Sequence, residues 1–379
     1  MNKKLFTFFF IFLFILPEAI VNFIPLSFRD NYYYSLFLLL GIYFLFNHKL
    51  LLRKDNSFLF YFILISISFG VFNAFIKQEI HLFRILLPFY TYLSYKIIIQ
   101  RKLNLVVFDY SIIVLYFVFY SLFFVFISDL TNFQRSDDND VTKFSEASSN
   151  LIASVLNNFL LAYSLLNYIY KAKRIKTIFI FSIINLILIL IQQSRIGIFV
   201  AVILLIITLY QMNSNLFIKY RSIIFLFFVS AILLTLNWIF KINIASLDNI
   251  LNELLLDGRL QAQYSFFKNL NFQSFLFGYS DEAIFFMFSY TYNVFLDFWS
   301  NYGLIPFLIL MFLIIYRFSN NNKFLLPSYY LIPFLFYSMF ESIYFPNFWD
   351  VFIYLILFTK TNSPISNLSE YSSNKINQL

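Results

Sequence analysis

The chain has 379 residues, of which 61% are hydrophobic and only 12% charged, with a net charge of +8. Soluble domains carry roughly 25% charged residues, and a water-facing exterior is built largely from them, so this composition excludes a conventional soluble enzyme. Zero cysteines exclude disulfides and thiolate metal sites, and two histidines, His48 and His81, argue against a zinc or haem centre.

Membrane spans are the first expectation. A bilayer core about 30 Å thick needs roughly 20 apolar residues per helix. Runs of that kind fall at 5–25, 32–46, 58–76, 81–99, 105–127, 151–170, 177–191, 196–210, 222–240, 292–316, 324–341 and 344–359. They predict an all-α, polytopic transmembrane helical bundle of about twelve spans, forming a single domain over 1–379. Lys3 and Lys4 precede the first run as in a signal peptide. No small-residue cleavage site follows and further spans do, so an uncleaved helix is expected.

Charge placement orients the bundle. With the N-terminus inside, 18 of the 27 Lys and Arg residues fall on cytoplasmic segments, which are also the shorter ones. That is the positive-inside pattern and puts both termini in the cytoplasm, with a short tail at 360–379. The basic residues lie in short loops between apolar runs, which argues against a nucleic-acid partner. Two long external loops result, 128–149 and 241–291. In the second, Leu247, Ile250, Leu251, Leu254 and Leu255 have helical spacing and Gly258 is a helix stop. A further helical stretch is expected over 259–267. Together they predict a small helical cap on the outer surface.

Few residues can carry chemistry. Charges near the bilayer are expensive and mark function when they persist, and Arg29, Arg84, Arg135, Arg195 and Arg259 are expected on the outer side. Arg195 lies in a tight connection between two apolar helices. Its bland reading is an arginine snorkelling to the interface, and that of Arg259 a solvated charge near Asp257. Several arginines at one mouth of a bundle suit a diphosphate, because guanidinium offers fixed bidentate donors and stays protonated. They could also stabilise a departing charge. Asp281, Glu282 and Asp297 are candidate proton acceptors for a hydroxyl, or equally surface charges paired with Lys268 or Lys241.

Three passages resemble the O-antigen polymerase and O-antigen ligase family of bacterial membrane glycosyltransferases. Gln193-Ser194-Arg195-Ile196-Gly197 is similar to a Ser-Arg element at the outer end of a helix pair. Gly258-Arg259 opens the large external loop, and Leu276-Phe277-Gly278 is similar to a glycine turn within it. Tyr292-Asn293-Val294-Phe295-Leu296-Asp297, followed by Asn301-Tyr302-Gly303-Leu304-Ile305-Pro306, is similar to the signature where the loop re-enters the membrane. Asn132-Phe133-Gln134-Arg135 with Asn150 looks like the family's earlier external loop. The resemblance runs from about 105 to 316.

The resemblance implies polymerisation of O-antigen-like or capsule-like repeat units on the outer face of a bacterial cytoplasmic (inner) membrane. The donor would be a glycan on polyprenyl diphosphate and the acceptor a sugar hydroxyl, without metal or other cofactor. It implies catalytic roles for Arg195, Arg259 and Asp297, and substrate binding by Arg135, Arg84, Asn293, Gly278 and Asp281. Membrane lipids, a chain-length regulator and a flippase are the implied partners. Tyr292 stands where the ligases have a histidine, which favours a polymerase over a ligase, and Ser280 replaces the turn's second glycine. The alternatives are the ligase itself, or a lipid-linked oligosaccharide flippase or another transporter.

Overall fold

A computed structural model describes residues 3–11, 35, 38–39, 41–42, 57–77, 82–125, 149–192, 194–212, 263, 266–278, 293–319, 328–340 and 350–359. All of the regular structure among these residues is helical, as the all-α expectation requires. The expected span at 222–240, most of those at 5–25 and 32–46, most of the two expected external loops, the 247–258 helix of the cap and the 360–379 tail lie outside the described residues.

The helices are α1 (Lys3–Phe10), α2 (Ser57–Lys77), α3 (Leu82–Arg101), α4 (Leu105–Val125), α5 (Ser149–Ile169), α6 (Ile175–Gln192) and α7 (Arg195–Met212). They continue with α8 (Phe272–Phe277), α9 (Val294–Tyr302), α10 (Leu304–Ser319), α11 (Leu331–Phe340), preceded by a 3-10 turn at Ser328–Tyr330, and α12 (Asp350–Phe358). At 1.5 Å per residue, the 21 residues of α2 extend about 31 Å. By length and composition, one helix among the described residues, Phe58–Ile76, can cross a membrane, and shorter apolar helices include Ile175–Ile191, Ile196–Met212 and Leu304–Ser319.

The helices expose apolar faces that a water-soluble bundle would cover with polar residues. On α10 the exposed face carries Ile305, Leu308, Phe312 and Ile315, at helical spacing, while Leu310, Leu313, Ile314 and Arg317 are buried. On α6 the exposed face carries Ile180, Ile183, Ile187 and Leu190, whereas Ser182 and Asn185 are buried. Large apolar side chains thus face outward as well as inward, and small polar groups sit among the buried apolar ones. Inside, the hydroxyls return their hydrogens to their own helices: Ser66 to the Phe62 carbonyl, Ser182 to that of Ile178 and Ser338 to that of Phe334. Such back-bonding satisfies a hydroxyl in an apolar interior without an outside partner.

Two helical groups meet around α11. In one, α5, α6 and α7 pack on each other. Gly197 makes this possible, since a Cβ there would stand 2.5 Å from the Cβ of Ala153. In the other, α2, α3, α9, α10 and α12 share an aromatic core in which Phe62 meets Phe298, Tyr354 and Phe358. Helix α11 touches both groups, packing on α7 and on α9.

The expected span at 292–316 is not one helix. It breaks at Gly303, whose φ of +81° is left-handed. Trp299 and Phe307 stack with ring centroids 5.2 Å apart, although a straight helix would separate these positions by about 12 Å along its axis. The chain therefore bends sharply between α9 and α10. The 324–341 and 344–359 runs contribute ten-residue α11 and nine-residue α12.

Candidate functional site

Ser194 is the N-cap of α7. Its hydroxyl oxygen accepts the Gly197 N–H at 3.2 Å and its carbonyl accepts the Ile198 N–H at 2.8 Å, the usual way of satisfying donors at a helix start. Arg195 is therefore the first residue of α7, next to the donor-rich, positive end of the helix dipole. Its helix is then pinned from below. Asn157 on α5 donates from Nδ2 to the Gly197 carbonyl at 2.9 Å and to the Tyr337 hydroxyl of α11 at 2.7 Å. Asn185 on α6 donates to Asn157 Oδ1 at 2.7 Å.

Four helices thus meet in one amide network directly under the Ser194-Arg195 turn. Asn157 and Asn185 are both fully buried. Asn185 Oδ1 has no hydrogen-bond partner among the described residues. An unsatisfied amide oxygen in an apolar interior is costly, so this network is not optimised for stability alone. Neither asparagine was among the candidate residues of the sequence, which, outside the family resemblance, singled out charged side chains. Their convergence was not part of the sequence expectation.

A second cluster gathers the glycine turn and the loop's return. Helix α8 opens with a capping box, in which Asn271 Oδ1 accepts from Ser274 N–H and Ser274 Oγ accepts from Asn271 N–H. It ends at Gly278, with φ +85° and ψ 177°. A Cβ on Gly278 would lie 2.1 Å from the Ser300 carbonyl oxygen, and one on Gly303 would lie 2.7 Å from that of Leu276. The C-terminal ends of α8 and α9 therefore cross glycine against carbonyl in both directions. Trp299 closes the joint by donating from Nε1 to the Phe275 carbonyl at 2.8 Å, with Phe266, Phe275 and Phe307 around its ring. From α2, Asn73 Nδ2 donates to the Ser300 and Asn301 carbonyls at 3.2 and 3.0 Å. The amide thereby serves carbonyls that the helix end leaves open.

The remaining predicted residues can be placed against this frame. Asn293 is the N-cap of α9, its Oδ1 accepting from Phe295 and Leu296 N–H at 3.0 and 3.3 Å. That oxygen is committed to the helix, so Asn293 acts by holding α9. Asp297 is half-buried in the first turn of α9, where a carboxylate suits the helix dipole. Gly278 packs on the same helix through Ser300. Arg84 lies in the first turn of α3, and Pro88 removes the N–H that would otherwise bond to the Arg84 carbonyl. Arg135, Arg259 and Asp281 lie outside the described residues.

The fold therefore joins Gly278, Asn293 and Asp297 in one unit around α9. It sets Arg195 in another, and α11 bridges the two through Tyr337 to Asn157 and through Phe334 to Phe295. No three His, Cys, Asp or Glu side chains gather as a metal-binding group among the described residues. Comparisons with protein-family models, with curated proteins and with solved structures return no match.

Proposed function

We propose that the chain is a multi-pass bacterial membrane glycosyltransferase that polymerises lipid-linked polysaccharide repeat units on the outer face of the cytoplasmic membrane. About twelve spans and cytoplasmic termini belong to the same reading. The outward apolar faces and the buried amides bonded between helices support the membrane setting, because lipid accepts apolar surface and polar side chains there find their partners across helices. Basic residues concentrated on one side support the orientation.

One observation carries the assignment of the site: Ser194 caps α7 while buried Asn157 and Asn185 anchor its first turn, so the backbone that bears Arg195 is tied to three other helices. A helix start with a fixed backbone that carries an arginine suits the diphosphate of a polyprenyl-linked donor. In the reaction, the acceptor hydroxyl oxygen bonds to the donor's anomeric carbon as the bond from that carbon to the diphosphate oxygen breaks. The electron pair leaves on polyprenyl diphosphate, held by Arg195 and Arg259, with Arg135 and Arg84 binding glycan or phosphate. The hydroxyl proton passes to a carboxylate, Asp297 or Asp281. Gly278 and Asn293 hold the loop's return and α9 in place.

The break at Gly303 favours a second reading, a lipid-linked oligosaccharide flippase, since transporters often build their sites from discontinuous helices. Replacing Arg195 by Ala and by Lys, at equal protein level, separates the readings through the surface glycan. A polymerase defect leaves single repeats, a flippase defect removes all surface glycan, and a ligase defect leaves long polymer on its lipid carrier. Arg195→Lys keeps the charge without the bidentate fork, so it should fall between wild type and Arg195→Ala. Normal chain length in both variants would remove Arg195 from the site.

A further inference from the structure

We propose that the α3–α4 and α5–α6 loops, together with the start of α1, form a headgroup site for an anionic phospholipid. The inference rests on the reading that the chain spans a membrane with these loops in the cytoplasm. Lys102 and Lys171 are left-handed, with φ of 51° and 52°. Both are exposed. L-residues adopt that conformation at a cost, and glycine or asparagine usually takes it just beyond a helix. Lysine also complements the dipole of a helix C-terminus, but that interaction does not require left-handed backbone. An outlier that occurs twice, in two neighbouring loops, points to a role for the side chains themselves.

The two lysines flank one tie. The Tyr170 hydroxyl donates to the Ile98 carbonyl at 2.7 Å and accepts the Leu103 N–H at 3.1 Å. Asn104 N–H donates to Thr7 Oγ1 at 2.8 Å, which brings up α1 with exposed Lys3 and Lys4. Arg101, Lys173 and Lys176 are exposed in the same two loops and the helix turns beside them. Among the described residues, Asp109 beside this junction is engaged by Arg174 and the Tyr163 hydroxyl.

An apolar flank begins where the cations end. Helices α4 and α6 both start at the junction and are joined by the Tyr116 hydroxyl, which donates to the Phe181 carbonyl at 3.0 Å. They expose Ile113, Val114 and Phe117 on one and Ile180, Ile183 and Ile187 on the other. Cations at the head of a long apolar flank match an amphiphile whose phosphate meets the lysines and whose acyl chains lie along the helices. Neither a soluble anion nor a nucleic acid uses that flank.

The test places the full-length protein in vesicles of phosphatidylcholine with phosphatidylglycerol and reads the restricted fraction of spin-labelled forms of each lipid. Lys102→Gly and Lys171→Gly remove charge while suiting the backbone, and Lys102→Asn with Lys171→Asn repeats the test with a second residue that tolerates left-handed φ. Wild type should prefer phosphatidylglycerol. The preference should fall roughly fivefold for each lysine removed, the scale of one basic residue at an anionic surface, and it should weaken with salt. Melting temperature should hold or rise. An unchanged preference in both double variants overturns the site, and so does displacement of the labelled lipid by inorganic phosphate. A chain that fails to insert into the vesicles instead overturns the membrane reading.

Discussion

Gly278→Ala is the sharpest perturbation of the joint between α8 and α9. The backbone at φ +85° and ψ 177° lies in a region essentially reserved for glycine, and a residue held there costs roughly 1–3 kcal/mol. The added Cβ would also stand 2.1 Å from the Ser300 oxygen and 2.7 Å from the Trp299 oxygen. Both are backbone atoms, so no rotamer change relieves the overlap and α8 must lift away from α9. Lifting breaks the Trp299–Phe275 hydrogen bond, worth about 1 kcal/mol net, and separates Trp299 from Phe275, worth about another 1 kcal/mol. The total is about 3–5 kcal/mol, at the severe end for a single substitution, and it falls on the contact between α8 and α9. Amide hydrogen exchange across 272–277 in the purified protein should therefore accelerate strongly, with a lowered melting temperature. Three other glycines provide a graded series. Gly303→Ala meets the Leu276 carbonyl at 2.7 Å and should come next. Gly197→Ala keeps helical backbone but meets Ala153 Cβ and Ser194 Oγ at 2.5 and 2.6 Å, an overpacking cost of about 1–3 kcal/mol. Gly41→Ala meets nothing within 4 Å and should be neutral or stabilising by up to about 1 kcal/mol. Native exchange and native melting in Gly278→Ala would refute the crossed-glycine geometry.

Four further outcomes follow from the same contacts. Asn157→Leu strips the Gly197 carbonyl and the Asn185 amide of a partner, so stability should fall by about 1–3 kcal/mol; if Arg195 acts as proposed, glycan length should shorten in a way not additive with Arg195→Ala. Asn73→Asp turns a double donor into acceptors facing the Ser300 and Asn301 carbonyls, and should melt lower than Asn73→Ala. Trp299→Phe keeps the aromatic packing but loses the bond to the Phe275 carbonyl, costing about 1 kcal/mol in chemical denaturation. Asp109→Asn weakens the contact with Arg174, whose side chain is 34% exposed. Solvent screening limits that loss to about 1 kcal/mol or less, so a severe folding defect would contradict the described surroundings of Asp109.

Local composition by itself determined the helical class and much of the helix map. The apolar runs at 58–76, 105–127, 151–170, 177–191 and 196–210 became α2, α4, α5, α6 and α7 with ends displaced by about two residues, because an uninterrupted apolar stretch has few ways other than helix to satisfy its own backbone away from water. The tight connection at Ser194-Arg195 was legible too, as a short polar break between two apolar runs, but that Ser194 caps α7 is read from its bond to the Gly197 N–H. Tertiary structure decided what those helices do together. The 292–316 stretch reads as continuous because Gly303 is a single glycine among apolar residues. It breaks because that glycine rests on the Leu276 carbonyl, a neighbour that only the return of the chain supplies. Asn293 illustrates the same limit, since its residue type fits ligand binding and helix capping alike, and the amide hydrogens of Phe295 and Leu296 choose between them for its oxygen. The buried asparagines are the clearest case. Asn157 finds its partners 28, 40 and 180 positions away, and Asn73 finds its own 227 and 228 positions away. An amide in an apolar run announces that a partner must exist, because leaving it unmet is expensive, but which carbonyl meets it depends on which helices lie side by side.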